Sequence, residues 1–252
     1  MKISVRHRYV EKIPVLEVVS ESAKTQPLPL IVYYHGWQSA KELSLTQARK
    51  LAAKGFRVVL PDAMNHGERK TGAVSMIPSI TFWSSIQYNV IEFSVILRFF
   101  QRLGLVEGNK VGVGGVSMGG ITTCALLTQH PEIQAAVCLM GTPYPGRYIQ
   151  RVMRKAKEMD VYVPEDLPLL LSWVGNYDLS RMPEKLQSRP ILFWHGTEDV
   201  KIPYEDMTDF QALVKTQPFA AGSRFLTGTG EGHLVQGSLM DTVAEFLAES
   251  LK

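Results

Sequence analysis

A glycine-rich stretch near the middle of the chain reads Asn109-Lys-Val-Gly-Val-Gly-Gly-Val-Ser-Met-Gly-Gly-Ile121. It contains a G-x-S-x-G motif around Ser117, which alone is weak, since a random chain of this length and composition contains one with a probability of about 0.1. The context strengthens it, because a strand-like run leads into the serine and a helical pattern leads out. In such a turn the strand and the helix nearly touch, so the positions two before and two after the serine must lack side chains. Gly115 and Gly119 meet this requirement.

A phosphate-binding loop or a simple glycine-rich turn is the alternative interpretation of this stretch. Gly112 and Gly114 begin a G-x-G-x-x-G pattern, but Ser117 stands where the last glycine belongs. No P-loop lysine follows the glycines. We therefore predict that Ser117 is a nucleophile at the start of a helix, whose free N–H groups favour negative charge at the reaction centre.

The chain on either side alternates short apolar runs with longer stretches of helical period. Strands are predicted over residues 30–34, 56–60, 111–116, 135–140, 191–194 and 224–227, and helices over about 43–54, 79–103, 118–129, 204–214 and 237–251. Such alternation is typical of right-handed crossovers in a doubly wound α/β sheet that is mostly parallel and carries helices on both faces. The first twenty residues alternate in hydropathy and predict an N-terminal antiparallel hairpin.

One segment breaks this alternation. Residues 141–185 contain five prolines and no convincing strand, and we interpret them as a mostly helical insertion between two strands. Insertions of this length are often functional, so a lid-like role is expected. No linker divides the chain, and we expect one domain over residues 1–252, with the α/β-hydrolase fold that the serine motif predicts.

The composition excludes several classes of protein. The 252 residues are 45% hydrophobic and 20% charged, which suits a globular core, and the formal net charge of +3 argues against nucleic-acid binding. Only Cys124 and Cys138 are present, too few for a disulfide framework. Charges interrupt the first twenty residues, and no apolar run approaches the roughly 18 residues of a membrane span. We expect a cytoplasmic protein without a membrane span.

A serine hydroxyl needs a histidine to take its proton, and six histidines compete for that role. His233 is the favoured base, because it lies in the glycine-rich loop between the last strand and the last helix. His66 lies in a loop near the same edge, and it is a weaker candidate than His233 for contact with substrate. The others are interpreted as structural, either in the hairpin, at a helix end or at strand ends: His7, His130, His35 and His195.

The histidine in turn needs a carboxylate to fix its tautomer. Asp199 follows the penultimate strand and is favoured, with its neighbour Glu198 as the competitor. Asp166 and Asp178 lie in the insertion, further from any strand end. The order serine, acid, histidine is that of the α/β-hydrolases.

Acyl transfer also needs hydrogen-bond donors where the carbonyl oxygen becomes negative. Met118, first in the helix after the serine, offers one backbone N–H. The loop after strand 30–34 reads His35-Gly-Trp37, and we expect the backbone N–H of Trp37 to be the second donor. The alternative is that Trp37 is a core aromatic residue. The two roles are compatible, because the proposed donor is the backbone N–H and not the side chain.

Four motifs together resemble a known family. They are Tyr34-His-Gly-Trp, Pro61-Asp-Ala-x-x-His-Gly-x-Arg, Gly-Gly-Val-Ser-Met-Gly-Gly and Phe193-Trp-His-Gly-Thr-Glu-Asp-Val-x-Ile-Pro. The chain is similar over nearly its whole length to small bacterial carboxylesterases of the YjfP/YitV type, α/β-hydrolases near the dienelactone-hydrolase and prolyl-oligopeptidase branches. This resemblance implies a triad of Ser117, Asp199 and His233, with Trp37 and Met118 as oxyanion donors. Ile202 stands where the family pattern after the acid has valine.

The expected activity is hydrolysis of short-chain acyl esters of small molecules, without metal or other cofactor. A peptidase or thioesterase with the same triad is the alternative, although we expect no gating domain of the oligopeptidase kind. A non-catalytic binding protein is the third possibility considered.

Two features of the insertion concern substrate. Its apolar residues are either a wall of the acyl pocket or the packing face of a helix: Leu167, Leu169, Leu170, Leu171 and Trp173. Its cations at helical spacing form either a solvated face or a surface that attracts an acidic substrate or membrane: Arg151, Arg154, Lys155 and Lys157.

Overall fold

The computed structural model describes residues 1–72 and 79–251. The strands are β1 (Ile3–Val10), β2 (Ile13–Ser20), β3 (Leu28–Tyr34), β4 (Arg57–Pro61), β5 (Val106–Val116), β6 (Ala135–Leu139), β7 (Ile191–Gly196) and β8 (Ser223–Gly228). The α-helices are α1 (Leu45–Ala53), α2 (Ile80–Arg102), α3 (Met118–Gln129), α4 (Pro145–Glu158), α5 (Leu167–Leu170), α6 (Tyr204–Val214) and α7 (Gly237–Leu251).

Eight strands of the described chain form one sheet in the order β1-β2-β4-β3-β5-β6-β7-β8. Strands β1 and β2 form the expected antiparallel hairpin, and β2 joins β4 in antiparallel orientation. From β4 to β8 all neighbours are parallel. The predicted fold class, a mostly parallel α/β sheet with an N-terminal hairpin, is confirmed. The carboxyl ends of the parallel strands share one edge, where ligand sites form in such sheets.

Both faces of the sheet are covered, which explains why the parallel strands are continuous apolar runs. On one face α2, α3 and α6 pack against alternate strand residues such as Val32 and Val113. On the other face α1 and α7 pack against the intervening residues such as Ile31 and Val137. The strand period of two therefore divides the core into two layers.

Strand β5 differs from its prediction, because it begins at Val106 rather than at residue 111. Its pairing with β3 is irregular: Leu28 opposes Val106, whereas Leu30 opposes Val111. The residues in between include Gly108 with φ of +53°. The polar sequence Glu-Gly-Asn-Lys bulges out of the ladder here, so hydrophobic patterning alone places the start of the strand too late.

Between β6 and β7 the backbone is helical. Helices α4 and α5 come first, followed by the 3-10 turns Ser172–Tyr177, Leu179–Arg181 and Pro183–Leu186. The buried side chains of Tyr148, Leu171 and Val174 join the core layer of α2 and α3. This insertion therefore sits on the same face as the helix that follows Ser117. Within the described ranges, no helix combines the length and hydropathy needed to cross a bilayer.

Candidate active site

Ser117 stands at the junction of β5 and α3, at the carboxyl edge of the sheet. Its backbone has φ of +58° and ψ of −115°, a conformation that a residue with a Cβ rarely adopts. Its N–H donates to the Leu139 carbonyl at 2.9 Å, and its own carbonyl accepts the N–H of Ile121 at 3.0 Å. These bonds hold the strained turn, as the sequence motif predicts.

The glycines around Ser117 are required by close backbone approach. A Cβ on Gly115 would lie 2.5 Å from the Gly119 carbonyl carbon, and a Cβ on Gly119 would lie 2.1 Å from the carbonyl oxygen of Tyr34. Both distances are far below van der Waals contact. The expectation that these two positions must lack side chains is therefore confirmed.

The structure brings Ser117, His233 and Asp199 together from three distant parts of the chain. The Nε2 atom of His233 lies 2.8 Å from Oγ of Ser117, and its Nδ1 atom lies 2.6 Å from Oδ2 of Asp199. Since a carboxylate only accepts, Nδ1 carries a proton and donates to Asp199, which leaves Nε2 of the neutral ring to accept the serine O–H. This geometry can move the serine proton onto the imidazole.

The Asp199 carboxylate is held by four donors. The backbone N–H groups of Lys201 and Ile202 donate to Oδ1 at 2.9 and 3.0 Å. His233 donates to Oδ2, and Nε2 of His195 lies 3.1 Å from the same oxygen. Burial raises the pKa of Asp199, but the hydrogen bonds from His195 and His233 outweigh burial and hold this pKa well below its usual range. The carboxylate therefore remains ionised at neutral pH.

His195 was interpreted from the sequence as a structural residue, and the structure places it next to the acid. It is buried at the end of β7, and its Nε2 also lies 2.8 Å from the carbonyl oxygen of Ile202. Both neighbours of Nε2 are acceptors, so this nitrogen carries the proton. The His-Gly-x-x-Asp spacing, which brings residues 195 and 199 face to face across a turn, is the signal that could have identified it.

The competing carboxylates lie elsewhere. Glu198 is exposed, and its backbone N–H donates to the carbonyl of Glu231. The Asp178 carboxylate accepts the hydroxyl and N–H of Ser180, while Asp166 precedes α5. None of these three carboxylates contacts His233.

The loop after β3 lies against Ser117. A Cβ on Gly36 would lie 3.6 Å from Cβ of Ser117, an ordinary van der Waals distance, so this loop runs alongside the serine. Trp37 packs edge-on against His66 and Phe82, with ring centroids 4.9 and 5.1 Å apart. Trp37 is therefore an aromatic packing residue whose backbone runs along the site. Met118 is buried at the first position of α3, where backbone N–H groups point out of the helix.

Two further histidines support this loop from behind. His35 accepts the N–H of Ala63 at Nε2 and donates through Nδ1 to the Gly36 carbonyl, and burial lowers its pKa to about 4. His66 accepts the N–H of Gln38 at 3.1 Å and donates to the Met64 carbonyl at 2.9 Å. Both rings are satisfied by the protein itself and are neutral, as each has one donating and one accepting nitrogen. His66 does not line the cavity above Ser117.

A buried lysine fixes the loop that carries His66. The Nζ atom of Lys41 lies 2.7 Å from Oδ2 of Asp62 and 2.5 Å from Oε1 of Glu68. The N–H groups of Lys41 and Glu68 also donate to the Asp62 carboxylate. Burial opposes the charge on Lys41, but these hydrogen bonds outweigh it and raise its pKa. The loops after β3 and β4 are thus tied together behind the site.

A cavity of about 710 Å³ opens above Ser117, a size that suits a small organic ligand. Its lining comes from the loop after β3, from α2, from α4 and from the loops that carry Asp199 and His233. The residues are Gly36, Trp37, Gln38, Ser39, Gln47, Phe82, Val116, Ser117, Met140, Tyr148, Arg151, Val152, Lys155, Ala156, Met159, Val200, Lys201, Ile202, Pro203, His233, Leu234 and Val235.

The leucines of the insertion do not line this cavity. Leu167, Leu170 and Leu171 instead face a separate apolar cavity of about 260 Å³ on the other side of α4. Val152 and Ala156 line both spaces, so α4 is the wall between them. Leu167, Leu171 and Trp173 pack against the core, as the packing interpretation predicts, whereas Leu169 and Leu170 are 75% and 50% exposed and fit neither interpretation.

Comparison with known proteins decides the family. The family described as alpha/beta hydrolase fold matches residues 29–172, more than half of the chain and the part that includes Ser117. The chain belongs to the alpha/beta hydrolase family. The expected fold family is thereby confirmed, and the sheet order and serine turn described above are those of an alpha/beta hydrolase.

Three similar proteins extend this result. The alpha/beta hydrolase is 38% identical to YitV of Bacillus subtilis (strain 168) over 219 residues, 85% of each chain. It is 25% identical over 253 residues to "Esterase YjfP" of Escherichia coli (strain K12), covering 99% of this chain and 100% of that one. The crystal structure of TT1662 from Thermus thermophilus superposes with a TM-score of 0.76 at 20% identity, covering 100% and 99% of the two chains. The resemblance to the YjfP/YitV type is confirmed.

The side chains at the site leave little room for a metal centre. Among residues 1–72 and 79–251, no three His, Cys, Asp or Glu side chains come together in a group that could hold a metal ion. The histidines at the site are each engaged with Ser117, with a carboxylate or with the backbone.

Proposed function

We propose that this alpha/beta hydrolase is a serine carboxylesterase that acts on short-chain acyl esters. Ser117 is the nucleophile, His233 the general base and Asp199 the acid that orients it. The observation that supports this assignment is the pair of hydrogen bonds from Oγ of Ser117 through the imidazole to Asp199, at 2.8 and 2.6 Å. YitV and YjfP both carry an esterase name, which favours an ester as the substrate.

Acylation follows from the positions of these atoms. Nε2 of His233 takes the proton of Ser117 as Oγ attacks the ester carbonyl carbon, and a tetrahedral intermediate forms. The ionised Asp199 stabilises the imidazolium. His233 then gives this proton to the alkoxide oxygen as the carbon–oxygen bond of the ester breaks. The alcohol leaves, and the acyl group remains on Ser117.

Deacylation repeats these steps with water. His233 takes a proton from the water molecule, the hydroxide attacks the acyl carbon, and the proton passes to Oγ of Ser117 as the acid leaves. In both halves the carbonyl oxygen becomes negative. We assign its stabilisation to the backbone N–H groups of Trp37 and Met118, because the loop of Gly36 and the start of α3 flank the serine.

The aromatic side chains beside Ser117 support a short acyl group. Trp37, Phe82 and Tyr148 pack edge-on or tilted against one another on one side of the cavity, with neighbouring centroids 5.1 and 6.1 Å apart. We expect this aromatic wall to bound the space for the acyl chain. We also assign the insertion, residues 141–185, to a lid-like part of the same domain, since α4 supplies one wall of the cavity.

The test is the Ser117→Ala variant with p-nitrophenyl acetate as substrate. We expect hydrolysis to fall by at least about 10³-fold while the melting temperature is retained. Ser238→Ala is the matched control, because Ser238 is also a serine in the first turn of a helix but is exposed on α7. Near wild-type turnover by Ser117→Ala would overturn the proposal.

Two further measurements define the substrate. A fluorophosphonate probe should label wild-type protein and Ser238→Ala but not Ser117→Ala. A series of acyl esters from acetate to dodecanoate, with matched thioesters and anilides, should give the highest kcat/KM for short esters. A preference for thioesters or anilides would replace the carboxylesterase assignment by a thioesterase or peptidase.

A further inference from the structure

Helix α4 turns one face toward the cavity above Ser117. The lining residues on this helix and just beyond it follow a helical spacing of three or four: Tyr148, Arg151 with Val152, Lys155 with Ala156, and Met159. The four cations that the sequence places at helical spacing are therefore divided between two faces. Arg151 and Lys155 line the cavity, whereas Arg154 and Lys157 do not.

The charge of the cavity lining is of one sign. Arg151, Lys155 and Lys201 are among the described residues that line it, and none of these lining residues is an Asp or Glu. The one carboxylate of the site, Asp199, lies behind His233 and is occupied by four donors. A lining in which these charged side chains are all cations attracts an anionic ligand and disfavours a cationic one.

Arg151 has donor capacity that the protein does not fill. Its Nη1 atom is buried and has no hydrogen-bond acceptor among the described residues. The nearest carboxylate oxygen, Oδ1 of Asp206, lies 3.6 Å away, and Asp206 already binds Thr142 at 2.8 Å and Arg147 at 3.3 Å. Nη1 is thus buried beside Asp206, while 33% of the Arg151 side chain stays exposed and the residue lines the cavity. A guanidinium suits carboxylate and phosphate oxygens.

The two lysines stand nearer the solvent. Lys155 and Lys201 are both exposed. Neither forms an ion pair with a carboxylate of residues 1–72 and 79–251. They come from different elements, α4 and the loop after β7, so they flank the cavity from two sides. Around them the lining is apolar, with Val200 and Leu234 89% and 70% exposed.

We propose that this cavity selects esters that carry an anionic group, a carboxylate or a phosphate, in addition to the ester bond. This inference rests on the proposed function. The carbonyl lies at Ser117, the carbon skeleton packs against Val152 and Met159, and the anion accepts hydrogen bonds from Arg151 with Lys155 and Lys201 adding attraction. A purely solvated cationic face does not explain why Arg151 and Lys155 of α4 line the cavity above the nucleophile.

Matched ester pairs test the proposal with wild-type protein. One pair places the charge in the acyl part: the p-nitrophenyl monoester of adipic acid against p-nitrophenyl hexanoate. A second pair places it in the alcohol part: 4-acetoxybenzoate against its ethyl ester, with 4-acetoxyphenyl phosphate as the phosphate arm. Each kcat/KM is divided by the rate of base hydrolysis of the same ester, which corrects for differences in intrinsic reactivity. At low salt we expect this corrected kcat/KM to be about tenfold higher for at least one anionic ester than for its neutral partner. This advantage should shrink at high salt.

Variants then assign the effect to residues. Arg151→Gln, Lys155→Gln and Lys201→Gln should each lower the ratio of anionic to neutral kcat/KM, Arg151→Gln by about tenfold and each lysine variant by about two- to fivefold. Arg154→Gln and Lys157→Gln are matched controls from the same helix with the same change of charge, and they should leave the ratio unchanged. The lysines are exposed, so their variants remain informative if Arg151→Gln fails to fold.

Failure of this inference is distinguishable from failure of the proposed function. A wild-type protein that hydrolyses neutral esters through Ser117 but shows no anionic preference overturns the inference alone. Equal effects of Lys155→Gln and Lys157→Gln also overturn it, because they would trace the preference to overall charge. A protein whose hydrolysis of every ester survives Ser117→Ala overturns the proposed function itself.

Discussion

Nε2 of His195 lies 3.1 Å from Oδ2 of Asp199, the oxygen that also accepts the hydrogen bond of His233. One carboxylate oxygen is thus shared by two imidazoles, one at the end of the buried strand β7 and one in the loop that reaches Ser117. The buried imidazole is anchored on the Ile202 carbonyl at 2.8 Å and is fixed in position. It therefore limits the orientations of the carboxylate that His233 needs.

We predict that His195 is a positioning residue for Asp199. His195→Leu removes the donor and should lower kcat about tenfold with little change in KM, since a hydrogen bond to a charged group contributes about 1.5–3 kcal/mol. His195→Gln keeps an N–H donor of similar reach and should retain most of the activity. Steady-state kinetics on p-nitrophenyl acetate, with melting temperatures for both variants, check this. Equal losses in the two variants would reduce His195 to a packing residue.

Asp199 and its neighbour Glu198 make a direct comparison of two adjacent carboxylates. Asp199→Asn should lower kcat by about 10³–10⁴-fold, because the amide no longer favours the imidazole tautomer that accepts the serine proton. Glu198→Gln should leave kcat unchanged, since Glu198 is exposed and has no contact with His233. The measurement is kcat for both variants beside wild type. An active Asp199→Asn together with an inactive Glu198→Gln would transfer the role of the acid to Glu198.

The sequence predicts most of this architecture because its apolar residues recur with the spacing of helices and strands. Helices α3, α6 and α7 have the bounds that their apolar spacing predicts, and the parallel strands begin and end within two residues of their predictions except at the bulged start of β5. The turn at Ser117 was predicted from Gly115 and Gly119, although the clash that excludes a side chain at Gly119 is with Tyr34 of β3. These features follow from periodicity and a short motif, which a sequence displays directly.

The features that the sequence could not decide depend on orientation between elements. A histidine followed by glycine at a strand end looks the same whether it faces the core or a carboxylate, so the His-Gly-x-x-Asp spacing is the one feature of the sequence that points from His195 to Asp199. Helical spacing grouped Arg151 with Lys157, but which of them faces the cavity is set by how α4 packs. Tyr148 fixes that packing through contacts with Phe82 and Trp83, at centroid distances of 6.1 and 6.3 Å.

The close approach of Gly119 to Tyr34 predicts a steric requirement at the serine turn. Gly119→Ala places a Cβ 2.1 Å from the Tyr34 carbonyl oxygen, so α3 or β3 must shift. We expect a loss of stability of about 3 kcal/mol, a melting temperature lower by about 5–10 °C and a large decrease in kcat as Ser117 moves. Gly237→Ala, at the first position of α7 with open space around it, is the control and should change neither. The measurements are the melting temperature and kcat of both variants. A Gly119→Ala protein as stable as Gly237→Ala would contradict the close packing of Gly119 against Tyr34.

The Lys41–Glu68 pair predicts how stability depends on pH. Hydrogen bonds from Lys41, Tyr9 and His7 lower the pKa of Glu68 to about 2 from an ordinary 4.5. A carboxylate whose pKa is lower in the folded than in the unfolded protein stabilises the fold at pH values above its unfolded-state pKa. This contribution is lost as the pH falls through its folded-state pKa. Glu68→Gln should therefore lower the melting temperature by about 1–3 °C above pH 5, with a difference from wild type that shrinks between about pH 4.5 and pH 2. Glu158→Gln at the exposed end of α4 should show no such trend, and a Glu68→Gln difference that stays constant down to pH 2 would mean that ionised Glu68 contributes no stability.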